Sequence, residues 1–122
     1  FELRIGGVLE ASYDPAKPLG DPANIRNQVL AYVPGRMLAM RNINAPPKVP
    51  FDVAAFQSLH TVVLIDALGP QSAAVTVVQP GYGSGEGFDG VYRFFERGNA
   101  ITLQMLHDRF AKGPIDWAKP AR

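Results

Sequence analysis

The sequence contains no cysteine. That excludes disulfides, thiolate catalysis and cysteine-based zinc sites, while leaving the compartment open. Histidine is nearly as scarce, with only His60 and His107. No spacing of His, Asp and Glu brings together the three or four ligands a metal needs, so no metal or cofactor is expected. Both histidines are read as ordinary structural or surface residues. No apolar run approaches the ~18 residues that a membrane-spanning helix requires. Charge is also thin: 19% of residues are charged, the net charge is +1, and the 12 basic residues are scattered. A basic face for nucleic acid is therefore not expected. Internal repeats and linkers are missing too. A chain of 122 residues with 47% hydrophobic content is read as one domain, residues 1–122, able to bury a single core.

What the chain does have is strand pattern followed by one long helical pattern. From Phe1 to Tyr13 the odd positions are largely apolar, with Glu2, Arg4, Glu10 and Ser12 between them. This alternation predicts a strand with one wet face, bent or bulged at Gly6-Gly7. Asp14 to Ala23 carries three prolines and is a turn-rich connector. Ile25–Val33 and Met37–Ile43 are the next strands, joined into an antiparallel hairpin by a Pro34-Gly35 turn. Residues 44–55 read as an irregular loop because of their prolines. Strands over Leu59–Asp66 and Ala73–Gln79 follow, rich in Val, Ile and Leu.

Phe88 to Phe110 is the only long stretch with helical period, ended by Lys112, Gly113 and Pro114. A helical wheel puts Val91, Phe94, Phe95, Gly98, Thr102, Met105, Leu106 and Arg109 on the face expected to be buried. Five strands and one amphipathic helix predict an α+β domain, an antiparallel sheet covered by that helix. The glycine-rich loop before the helix resembles a phosphate cradle only in layout. Glu86 and Phe88 stand where a third glycine is needed, and Glu86 and Asp89 would repel an anion, so a hinge is preferred. Ser12, Ser58, Ser72 and Ser84 all lie outside a GxSxG motif, and no catalytic residue is assigned.

Several short motifs, in order along nearly the whole chain, resemble one protein family. Leu3-Arg4-Ile5-Gly6-Gly7 is similar to a strand ending in Gly-Gly. Val29 to Leu38 resembles a hairpin in which Pro34 and Arg36 precede the returning strand. Ala45-Pro46-Pro47, Thr76-Val77 with Gly81-Tyr82, Phe94-Phe95 with Leu103 and Leu106, and Gly113 to Trp117 complete the set. The resemblance is to the SRPBCC (START-like, helix-grip) superfamily, in the branch related to activators of the heat-shock chaperone ATPase, with polyketide cyclase-like relatives. It implies a curved antiparallel sheet gripping the C-terminal helix, with a cavity between them for apolar or amphipathic molecules. Some members are cyclases or dehydratases and others only bind. The family's opening strand and two short helices have no counterpart before Phe1, and a missing or unmatched N-terminal portion is expected. Asn99-Ala100 departs from a Gly-Trp or Ala-Trp pair of many relatives, which would reshape the pocket.

Polar residues at inward parity fit either a hydrogen-bonded structural network, the reading for each residue alone, or a wet cavity wall, the reading for the set together with Gly98. A buried amide is costly unless paired or hydrated. The expected lining comprises Asn27, Met40, Asn42, Thr61, Val63, Val77, Gln79 and Tyr82 from the sheet side. The helix adds Phe95, Gly98, Asn99, Thr102, Met105 and Arg109. Gly98 leaves room at the helix centre, and Gln79, Asn42 and Thr102 are expected to orient a ligand's polar end. Binding of an apolar or amphipathic small molecule is the first functional expectation. A cyclase or dehydratase is the alternative, weakened by a shortage of inward carboxylates. A co-chaperone role is the third. A homodimer or a partner strand is expected to cover the open sheet edge. Cytoplasmic and exported locations both remain open.

Overall fold

The structure is a computed structural model that describes residues 1–116 together with Ala118 and Lys119; Trp117, the end of the last family-like motif, lies outside the described residues. Five strands form one open antiparallel meander in the order β1 (Val8–Ala11), β2 (Ile25–Val33), β3 (Met37–Asn44), β4 (Thr61–Gly69) and β5 (Ser72–Val78). A short helix α1 (Val53–Gln57) lies between β3 and β4, and a 27-residue helix α2 (Glu86–Lys112) follows β5. The domain is therefore α+β, as the pattern predicts. No helix among the described residues is long and apolar enough to cross a membrane.

The β2–β3 turn follows the sequence. Gly35 takes φ of 71°, which a side chain disfavours, and the Arg36 amide donates to the Val33 carbonyl at 3.0 Å. The first strand is shorter than expected. Residues 1–7 fold into a turn, with the Gly7 amide donating to the Arg4 carbonyl at 2.9 Å. A β-carbon at Gly7 would collide with the Glu2 carbonyl, so the glycine that interrupts the alternation also ends the extended chain. The loop after β3 contains α1, which was not expected. Asp52 caps it, accepting from the Ala55 amide at 2.8 Å.

Strand register puts one set of side chains on the helix-facing surface. Asn27 lies opposite Asn42, Val29 opposite Met40, Met40 opposite Thr61, and Val63 opposite Val77. The buried core is small: Ala55 and Phe56 of α1 cluster with Leu59 and with Val91 of α2, and Val29 of β2 is buried outside that cluster. Leu59, expected at the start of a strand, instead precedes β4 and belongs to this core.

The proline-rich connector is held by Glu10, a residue expected on a wet face but partly buried here. Its carboxylate accepts from the Asn24 amide side chain at 2.8 Å and from the Gly20 backbone at 2.6 Å, with Arg26 at 3.7 Å. The Asn24 bond, then the Gly20 bond, hold the Glu10 carboxyl below its ordinary pKa, with a smaller contribution from Arg26. A depressed folded pKa contributes stability that is complete above the unfolded value of about 4.3 and is lost as pH falls through the folded value. Urea unfolding at neutral pH and at about pH 3 should show a smaller acid loss for Glu10→Gln than for wild type. An equal loss in both would remove Glu10 from the account of acid sensitivity.

Candidate functional site

Helix α2 has acidic Glu86 and Asp89 in its first turn and basic Arg109 and Lys112 in its last, matching the helix dipole at both ends. Its approach is set by Gly81, whose φ is 108° and where a β-carbon would lie 2.7 Å from the Ser58 carbonyl. The chain can pass that close to the end of α1 only with glycine there.

The N-terminal half of α2 docks on α1 through aromatic rings. Phe56 stacks on Phe95 with centroids 5.0 Å apart, and Phe51 meets Phe56 at 5.1 Å and Phe94 at 4.8 Å. Beyond Phe95 the aromatic support stops. A β-carbon at Gly98 would meet nothing within 4 Å, and Gly98 is in the wall of neither of the two recesses that follow.

The C-terminal half of α2 leaves a cleft of about 860 Å³ over β4 and β5. Its walls are mainly apolar: Val63, Ile65 and Val75 from the sheet, Leu103, Leu106 and Phe110 from the helix. The β4–β5 hairpin at Gly69–Ser72 lines one end, and His107, an exposed residue 3.5 Å from Asp108, is the titratable side chain in the wall. A second recess of about 180 Å³ lies nearer the helix start. There Gln79 donates to Thr61 at 3.3 Å and accepts from Asn99 at 3.3 Å and from the Tyr82 hydroxyl at 3.5 Å, with Tyr92 and Glu96 beside them. Burial, and secondarily Tyr92, pushes the Tyr82 phenol above its ordinary pKa, keeping it a neutral donor. Helix positions 92, 96, 99, 103, 106 and 110 recur every three or four residues. The polar recess and the apolar cleft thus share one stripe of α2.

The expected lining divides. Thr61, Gln79, Tyr82 and Asn99 come together in the polar recess, and Val63 lines the cleft. Met40 and Val77 are half-buried on the same sheet surface, and Phe95 belongs to the aromatic cluster. Asn27 and Asn42 instead form a structural network. The Asn42 amide donates to Asn27 at 3.1 Å and to the Arg26 and Asn44 carbonyls, and its oxygen accepts from Gln57 at 3.1 Å. Thr102, Met105 and Arg109 are exposed, which corrects the expected buried face. Val91, Phe94 and Phe95 of the expected face do pack against α1 and the Phe51 loop, while further along the helix the cleft wall is formed by Leu103, Leu106 and Phe110. Leu103, Leu106, Phe110, Ile65 and Val75 were absent from the expected lining. Their signal was the same three- and four-residue spacing, centred one position further round.

Comparison with family models, curated proteins and solved structures finds no match to this chain. The residues alone therefore carry the chemistry. Aliphatic and aromatic walls hold apolar surface, and the neutral amide–hydroxyl cluster offers both donors and acceptors. No cluster of three or more His, Asp and Glu suited to a metal occurs among the described residues.

Proposed function

We propose that this protein binds an apolar or amphipathic small molecule in the cleft between sheet and α2. The apolar body lies along Leu103, Leu106 and Phe110, and a neutral polar end turns towards Gln79 and Asn99. The carrying observation is the roughly 860 Å³ cleft with an apolar wall on the same helix stripe as a small polar recess. That volume lies within the range of ligand sites, about 300–1,000 Å³. A helix-grip, START-like identity belongs to the same proposal, supported by the sequence motifs and by the sheet-plus-helix layout. Binding without chemistry is the favoured form of this reading because the cleft walls are mainly apolar, with His107 their titratable side chain and Glu96 beside the recess. A homodimer is the assembly proposed with it.

Titration with a fluorescent apolar probe tests the reading. Leu106 is 39% exposed, so Leu106→Glu should leave the fold intact while putting a charge in the cleft wall. Burying that charge against an apolar ligand should weaken probe binding at least about tenfold. Unchanged affinity in folded Leu106→Glu protein would overturn the assignment.

A further inference from the structure

The cleft and the polar recess are two ends of one graded surface. Thr61, Val63 and Ile65 follow one another at alternate positions of β4, and register sets Val63 opposite Val77 and Ile65 opposite Val75 of β5. One step further, the Gln79 amide donates to the Thr61 hydroxyl at 3.3 Å, so this sheet face passes from amide and hydroxyl to aliphatic side chains. Helix α2 repeats the order. Asn99, which donates to Gln79 at 3.3 Å, stands one turn before Leu103, with Leu106 and Phe110 beyond. All three elements therefore place their polar members at one end and their apolar members at the other. At a helical rise of about 1.5 Å per residue, the run from Asn99 to Phe110 spans about 16 Å.

The polar end carries a charge of one sign. Glu96 stands beside Gln79 and Asn99 in the recess; it is exposed and forms no ion pair among the described residues. The other side chains of the recess are neutral amides and phenols. Gln79 gives one N–H to Thr61 and Asn99 gives one to Gln79, which leaves the second N–H of each amide and the Asn99 oxygen for a ligand. A hydroxyl both donates and accepts, so it can use an amide N–H and an amide oxygen together. A carboxylate only accepts, and it would bring a second negative charge beside Glu96. An ammonium group only donates and would leave both amide N–H groups unserved.

We infer that Glu96 sets the specificity of this site and that its ligand class is an elongated amphiphile ending in a hydroxyl, not an acid, at the Asn99 end. The inference rests on the binding reading above and adds which polar end enters the recess and why. An extended chain advances about 1.2 Å per bond, so about a dozen carbons reach from Asn99 to Phe110.

Displacement of a bound fluorescent apolar probe by dodecanol and by dodecanoate, below their micelle concentrations and at low salt, tests it. Wild type should prefer dodecanol. Any apolar site disfavours a carboxylate, so the deciding readout is how that preference changes with the side chain at position 96. Glu96→Lys should tighten dodecanoate about tenfold relative to dodecanol, a change that lies between the limits for neighbouring charges in water and near a protein surface. Glu96→Gln should shift the preference the same way by a smaller factor. Glu96 is exposed on α2, so both substitutions should leave the fold intact. Should Glu96→Lys fail to fold, the direction of the Glu96→Gln shift decides. An alcohol-over-acid preference that is the same in wild type and in the folded variants overturns the inference while leaving the cleft reading in place. Dodecylammonium displacing the probe more strongly than dodecanol from wild type also overturns it, in favour of a cationic end. No saturable displacement by any of the three compounds removes the cleft reading, and this inference with it.

Discussion

Phe56→Ala is expected to destabilise the protein by about 3–5 kcal/mol, the usual cost of truncating a buried phenylalanine. Phe56 is 6% exposed and belongs to the small core cluster with Ala55, Leu59 and Val91. It stacks on Phe95 and meets Phe51 edge-on, so it joins α1 to both the preceding loop and α2. Five buried apolar residues make up the core among the described residues, and no larger reserve offsets the cavity. Loss of this ring should also release the N-terminal half of α2. The urea midpoint should fall steeply, with near-ultraviolet dichroism changing before helix content is lost. A shift under about 1 kcal/mol would mean that α1 is not what seats the long helix.

Asn42→Ala should cost about 3 kcal/mol. The residue is 5% exposed, and its amide serves three acceptors while its oxygen holds Gln57 of α1. Truncation leaves the Asn27 oxygen and two backbone carbonyls short of a donor in a partly dry place, at about 1–3 kcal/mol for each group left truly unpaired. Water reaching the gap from the Gln57 side limits the total. Asn42→Asp is the sharper comparison, because it keeps the volume and reverses the donor. It should destabilise more at neutral pH than at acid pH, where a protonated carboxyl again donates. Equal stability of Asn42→Ala and wild type would mark Asn42 as dispensable to the fold.

Elements whose signals are local were legible in the sequence. The β2 strand runs from Ile25 to Val33 as its pattern indicates, and Pro34-Gly35 gives the turn. The long helix ends at Lys112 before Gly113. Features set by tertiary contact were not. Helix α1 is five residues long, too short to show a period, and follows prolines that read as loop. The ring of Phe56 that stacks on Phe95 comes from this helix, and further along α2 the expected lining named Thr102 and Arg109 where the cleft wall has Leu103 and Phe110. Asn42 was recognised as inward-facing, but strand parity does not distinguish a cavity wall from a hydrogen-bonded network. The partners that make it structural, Gln57 and the Arg26 carbonyl, come from elements distant in sequence.

The central claim is that apolar molecules enter between α2 and the β4–β5 floor. Amide and methyl chemical shifts recorded while an apolar probe is titrated into labelled protein test it most directly. Saturable shifts concentrated at Val63, Ile65, Val75, Leu103, Leu106 and Phe110, with smaller ones at Gln79 and Asn99, are the predicted result. Shifts that stay on the outer sheet surface, or that spread evenly without saturating, would contradict it.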